Sequence, residues 1–231
     1  CEGSAIMFMP MVQGGHHFAP AAIVTFTASA QNGAENLTAA TFSSQSLGAA
    51  DPTRQIVVIV GAIPQAGDRV VSSITVGGTS MSEIHTNQSV YSFVSFWSCE
   101  KATGTSGDVV INFSGTMGQS VDCAVYALYN ASTSEYAKTK LANTSSATIA
   151  NTISIPAEGV CISHTEHSDN PARSSSWTNL TERYDTIYDT YSTQTGASDA
   201  FATAQTDRVI TTTFSSAPDN AGMVTVSWAK A

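Results

Sequence analysis

The chain has 231 residues, of which only 12% are charged, and its formal net charge is −9 at pH 7. The nine Lys and Arg residues form no cluster, which excludes a surface built to neutralise nucleic-acid phosphates. No run of about 18 apolar residues occurs, so the sequence predicts no transmembrane helix. A low-charge chain rich in Ser and Thr is typical of an extracellular or particle-bound β protein.

The first 21 residues differ from the rest of the chain. They show no regular period, are interrupted by proline and glycine, and carry the apolar side chains Met7, Phe8, Met9, Met11 and Phe18. Methionine adapts to irregular apolar surfaces. The sequence therefore predicts an N-terminal arm or extension over residues 1–21, which either packs on a neighbouring subunit or folds over its own domain.

From residue 22 onward, segments of period-two alternation are separated by turn signals, as expected for β-strands. In the first part of the chain the predicted strands are residues 22–29, 37–47, 55–62, 70–76, 89–100, 107–115 and 122–130. The continuous apolar runs "QIVVIVGA" and "DCAVYALYN" predict strands that are buried on both faces.

The second part of the chain continues the same pattern. Residues 147–155 and 159–166 are predicted to pair as a hairpin around the turn "PAEG". Further strand signals lie in residues 177–191, 198–206, 208–216 and 222–230.

Strand signals thus recur about every 10 to 15 residues, and no amphipathic helix separates them. We expect an all-β fold, with a single antiparallel β-sandwich or jelly-roll-like domain that extends from residue 22 to residue 231. The spacing has no strict repeat, which argues against a propeller or a solenoid.

The glycine pair Gly77-Gly78 has two interpretations, a phosphate-binding loop or a turn. A phosphate loop needs a lysine or a following helix at defined spacing, and "GGTSMSEI" has neither. Because both flanks alternate like strands, the pair is predicted to form a hairpin turn with positive φ.

Cysteine usage indicates neither a disulfide framework nor a zinc site, because no CxxC pair occurs. Cys123 and Cys161 lie in apolar strand patterns and are predicted to be reduced and buried. A bridge between Cys99 and Cys123 remains an alternative.

The segment "SHTEHSD" brings His164 and His167 close to Glu166 and Asp169, which are possible metal ligands. Two positions three apart do not share a face of a strand, so a polar loop is the favoured interpretation. The sequence predicts no metal and no cofactor.

Aromatic residues near the end of the chain suggest a weak sugar-contact surface, formed by Trp177, Tyr184, Tyr188 and Tyr191. The neighbouring carboxylates Glu182, Asp185 and Asp189 could serve glycoside cleavage only at a defined separation, which the sequence does not fix. No serine-hydrolase motif occurs either, and the chain is predicted not to be an enzyme.

The order of several segments resembles a group of tailed-phage and prophage proteins. These segments are "IVVIVGA", "VSSITVGGTSMSEI", "GTSGDVVINFSGTM", "CAVYALYN", "WTNLTERYD", "GASDAFATA" and "AGMVTVSWA". The resemblance covers residues 40–229 and depends on their order, since no single motif is specific. It implies a virion structural protein, such as a capsid decoration, head-fibre or tail-associated β domain, with no catalytic residues to carry over.

The expected function is therefore non-enzymatic decoration or cementing of a phage particle. The expected partners are capsid or tail proteins and further copies of the chain, without nucleic acid, and the expected location is the virion. A carbohydrate- or receptor-binding module of a fibre or tail is the alternative. A glycan-degrading enzyme and a lipoprotein adhesin with lipid on Cys1 are more distant alternatives.

Overall fold

The computed structural model describes residues 20–34, 36–64, 69–88, 93–168, 173–187 and 192–231. All regular secondary structure in these ranges is β-strand, and every strand pairing is antiparallel. The predicted all-β antiparallel fold of sandwich type is confirmed. In the described part of the chain, no helix has the length and hydropathy needed to cross a membrane. The predicted arm residues Met7, Phe8, Met9, Met11 and Phe18 lie outside the described residues.

Eight strands form the first unit, which we define as residues 22–129. They are β1 (Ile23–Asn32), β2 (Leu37–Ser46), β3 (Gln55–Pro64), β4 (Val71–Val76), β5 (Thr79–Ser80), β6 (Ser82–Gln88), β7 (Phe93–Glu100) and β8 (Ser106–Tyr129). The long strand β8 belongs to two layers. Its first half pairs with β2 and β4, and its second half pairs with β1 and β3.

Eight more strands form the second unit, which we define as residues 131–230. They are β9 (Ala131–Thr144), β10 (Thr148–Ile155), β11 (Gly159–Ser168), β12 (Ser175–Thr178), β13 (Thr181–Ile187), β14 (Ser192–Phe201), β15 (Gln205–Phe214) and β16 (Asn220–Lys230).

The two units have the same strand order. The five-stranded layer of the first unit runs β6-β7-β3-β8-β1, and that of the second runs β13-β14-β11-β16-β9. The small layers are β4-β8-β2, extended by β5, and β12-β15-β10. Both units are thus sandwiches in which the chain visits the two layers in the same sequence, so the described fold contains an internal duplication.

Three hydrophobic cores lie in series between four layers. The first-unit core lies between the two layers of that unit, and the second-unit core lies in the same place in the other. Between them lies the shared core, where the two five-stranded layers face each other. Alternate residues of β3 serve two cores, because Ile56, Val58 and Val60 point into the first-unit core and Val57 and Ile59 into the shared core. This explains why β3 is apolar on both faces.

Two local predictions have different outcomes. Gly77 and Gly78 connect β4 to β5 with φ of 51° and 78°, so the predicted hairpin turn is confirmed. The predicted pairing of residues 147–155 with 159–166 is wrong. Strand β10 pairs with β15 in the small layer, whereas β11 lies in the centre of the five-stranded layer. The turn between them therefore carries the chain from one layer of the sandwich to the other.

Candidate functional site

A buried cluster of three ionisable side chains lies at the junction of the two units. Asp122 comes from β8 of the first unit, and His164 and Glu166 come from β11 of the second. One ligand atom from each residue lies within 4.8 Å of those of the other two, and all three residues are at most 1% exposed. It is the one group of this kind found among the described residues.

Strand periodicity places all three side chains on the same inter-sheet face. His164 and Glu166 are two residues apart and continue the row that begins with Val160 and Ile162, which lie in the shared core. Asp122 continues the corresponding row of β8, which contains Ala124, Tyr126 and Leu128. The shared core is therefore apolar along most of its length and polar at one end.

Gly61 of β3 makes the close approach of the two carboxylates possible. Its backbone N–H donates a hydrogen bond of 3.0 Å to Oδ1 of Asp122. A Cβ at this position would lie 2.5 Å from both carboxylate oxygens of Asp122 and 2.7 Å from Oε2 of Glu166. Any larger residue would therefore push apart the carboxylates that the two units contribute.

His164 is held by Tyr184. Its Nδ1 lies 2.6 Å from the hydroxyl of Tyr184, which shares the core between the units with Tyr126 of the first unit. The ring of Tyr184 packs directly on the backbone of Gly196, where a Cβ would lie 2.4 Å from the ring. The ring also stacks on Phe26, with centroids 5.0 Å apart.

Burial keeps the imidazole of His164 neutral. It lowers the pKa of His164 to about 3, because the charged form would lose its hydration. The contact with Tyr184 occupies Nδ1, and the other ring nitrogen, Nε2, is buried and has no hydrogen-bond partner.

An open cavity of about 260 Å³ lies beside the cluster, between the two units. It is lined by Ser29, Ala30, Gln31, Thr186 and Gln194. In the sheet registers, Gln31 pairs with Asp122 and Gln194 pairs with Glu166, so two of the lining residues neighbour the carboxylates. The buried Oε1 of Gln194 has no hydrogen-bond partner. The cluster thus offers one imidazole and two carboxylates, a set of ligands suited to a divalent cation.

Part of this cluster was visible in the sequence, where His164 was grouped with His167, Glu166 and Asp169. The structure places His167 on the opposite face of β11, where its ring packs edge-on against Phe214 and Nε2 contacts the carbonyl of Arg173. Asp169 lies outside the described residues. The usable signal was the spacing of two between His164 and Glu166, whereas Asp122 joins them only through tertiary packing.

Of the proposed sugar-contact residues, the structure describes Trp177 and Tyr184. Tyr184 is 8% exposed and belongs to the shared core, which corrects its assignment to a sugar-binding surface. Trp177 is half-buried against the second-unit core, and its indole N–H donates to Thr195. Tyr188 and Tyr191 lie outside the described residues.

The acidic residues Asp185 and Glu182 lie near these aromatic residues in the chain. The carboxylate of Asp185 accepts hydrogen bonds from the backbone and the hydroxyl of Ser175, which fastens β12 to β13. Burial, and then the charge of Asp185, raises the pKa of Glu182. Asp189 lies outside the described residues.

The described cysteines are all free thiols. Cys123 and Cys161 are fully buried, and burial raises both pKa values. Burial also raises the pKa of the half-buried Cys99 to about 11. These thiols are therefore poor nucleophiles and behave as small apolar side chains.

Comparisons of the chain with protein-family models, with curated proteins and with solved structures gave no match.

Proposed function

We propose that the chain is a non-enzymatic structural protein of a tailed-phage particle, which decorates or cements the particle surface. The observation that carries the proposal is the four-layer body in which two sandwiches share a core. Jelly-roll-type sandwiches are a recurrent building unit of viral capsids. The segments whose order resembles phage proteins lie in β3 to β6, β8, β12 to β14 and β16 of this body.

The surface of the body supports contacts with neighbours. Strands β9 and β13 are the terminal strands of the second five-stranded layer, and such edges carry backbone groups that can pair with another chain. Tyr136 on β9 and Ile187 on β13 are 57% and 53% exposed.

The proposal is tested by locating the chain. An antibody raised against the purified protein is used for immunogold labelling and for blots of density-gradient fractions from a lysate of the producing bacterium. We expect the chain to band with intact particles in a fixed ratio to the major capsid protein. Recovery of the chain only from particle-free fractions would contradict the proposal.

A glycan-binding role is the second candidate, and its support is limited to Trp177 at the edge strand β12. Tyr184 is buried and therefore does not contribute to a glycan-binding surface. Binding of the purified chain to a glycan array, lost in Trp177→Ala and kept in Tyr136→Ala, would favour this role over passive decoration.

A further inference from the structure

We propose that Asp122, His164 and Glu166 bind one divalent metal ion of the Zn²⁺ type, which fastens the first unit to the second. The proposal is independent of the proposed function, since it concerns how the two units are joined. One ligand would come from β8 of the first unit and two from β11 of the second.

The ligands are close enough for an ion to enter with little movement. A point equidistant from three atoms that are 4.8 Å apart is about 2.8 Å from each, whereas Zn²⁺ bonds to imidazole and carboxylate are about 2.0–2.2 Å. Since 4.8 Å is the upper bound of the separations, each ligand atom needs to move by at most about 0.8 Å. Side-chain rotations supply such movement without a change in strand register.

The duplicated fold explains why two carboxylates meet. In the first unit, Gly61 on the central strand pairs with Asp122 on the next strand. In the second unit, Glu166 on the central strand pairs with Gly222 on the next strand. Each unit thus places one carboxylate opposite a glycine, and both carboxylates reach the space above Gly61.

Charge favours a cation in this space. Two carboxylates brought together in a buried layer repel each other and lose hydration. A divalent ion would neutralise both and would use their acceptor oxygens. The neutral imidazole of His164 adds a nitrogen ligand, and this mixed set suits Zn²⁺ better than Mg²⁺ or Ca²⁺, which prefer oxygen alone.

His164 is also oriented as metal-bound histidines usually are. Such a histidine donates its second ring N–H to a fixed acceptor, which sets the tautomer and the ring plane. Here Nδ1 is paired with Tyr184, and the fully buried Nε2 has no hydrogen-bond partner. A metal ion would satisfy this buried atom.

Two residues that line the cavity, Gln31 and Gln194, neighbour the carboxylates in the sheet registers. The cavity opens between β1 of the first unit and β13 and β14 of the second. Gln194 lines the cavity beside Glu166, and its buried Oε1 has no hydrogen-bond partner. That oxygen would accept a hydrogen bond from a water molecule on the ion.

The first test is metal content. The full chain is purified without a histidine tag, incubated with Zn²⁺, desalted, and analysed by inductively coupled plasma mass spectrometry. We expect about one Zn²⁺ per chain, and about tenfold less in Asp122→Asn, His164→Asn and Glu166→Gln. The matched controls His85→Asn and Glu182→Gln, which change the same residue types elsewhere, should keep about one Zn²⁺ per chain. Zn²⁺ retained equally by the cluster variants would overturn the proposal.

The second test measures whether Zn²⁺ raises the Tm, and its first part uses only wild-type protein. Adding Zn²⁺ to chelator-treated wild-type protein, at about 100-fold its Kd, should raise Tm by about 5–10 °C. In the chelated state Glu166→Gln should melt at a higher temperature than wild type, since it removes the repulsion, and Zn²⁺ should no longer raise its Tm. A wild-type Tm that does not respond to Zn²⁺ would refute the site even if every variant failed to fold.

Discussion

The two units share a strand order but fill their interiors with different chemistry. In the first-unit core, Val58 of β3 pairs with Val125 of β8, and in the second unit the corresponding pair is Ser163 with Thr225. Both pairs are fully buried. The hydroxyls of Ser163 and Thr225 lie 2.7 Å apart, and Asn151 donates to Thr225 at 3.2 Å. One arrangement of strands can therefore be stabilised by apolar volume or by a satisfied network of hydroxyls.

The first unit holds a buried arginine at the end of the sandwich where its loops meet. Arg54 is 1% exposed, and its five N–H groups, one of them shared, donate to six backbone carbonyls, those of Leu47, Gly48, Ala49, Lys101, Thr103 and Gly104. The guanidinium thus fastens the segment after β2 to the segment after β7. The polar groups of the second unit are distributed along its strands instead.

The largest effect is expected where the two units share side chains. Trp228 is fully buried in the shared core, and Trp228→Ala should lower the free energy of unfolding by about 3–5 kcal/mol. Tyr136→Ala, which truncates an aromatic side chain that is 57% exposed, is the control and should change it by less than about 0.5 kcal/mol. Urea unfolding at equilibrium measures both. Equal effects would mean that the shared core does not hold the units together.

Arg54→Lys should be the next largest change. Lysine keeps the charge but has three donors and no planar fork, so several buried carbonyls lose their partner. We expect a loss of about 2–3 kcal/mol in urea unfolding. Arg208→Lys is the control in the second unit, where the guanidinium bonds to the carbonyl of Asn179 at an exposed site. A smaller loss for Arg54→Lys than for this control would contradict the fastening role.

A crossed pair of substitutions examines the difference between the interiors directly. Val58→Thr buries a hydroxyl in an apolar core, and Thr225→Val removes a hydroxyl that serves Asn151 and Ser163. Although the side chains have nearly the same shape, each change should cost about 1–3 kcal/mol. Thermal unfolding followed by circular dichroism measures the cost. If Thr225→Val raised the stability, the hydroxyl network would not be a stabilising feature of the second unit.

The smallest expected effect is a change in pH dependence at the rim between the units. Burial, and then the charges of Lys140 and Lys138 on β9, lowers the pKa of His85 below its usual 6.5. Below about pH 6.5 the unfolded chain therefore takes up this proton more readily than the folded chain, and stability falls as the pH falls. His85→Asn should make that decline shallower between pH 7 and pH 5, as followed by urea unfolding at several pH values. An unchanged slope would show that His85 titrates alike in both states.

Much of the fold was predictable from local pattern. The alternation of residues 22–29, the apolar run of β3 and the flanks of Gly77-Gly78 each indicate a strand or a turn, because backbone conformation and burial impose a period of two. Strand β9 was missed, since "ASTSEYAKTKLANT" has few apolar residues and lies at a sheet edge. The pairing of β10 with β11 was wrong because a short turn is compatible with a hairpin and with a crossover between layers.

The sequence by itself determined the all-β class, the buried central strands and the turn at Gly77-Gly78, since these depend on neighbouring residues. Only the tertiary structure decided the duplication and the cluster of Asp122, His164 and Glu166. The repeat is invisible in the spacing because corresponding positions, such as Val58 and Ser163, carry different residue types. Asp122 meets His164 and Glu166 because two separate sheets pack face to face, and such a contact leaves no local period in the chain.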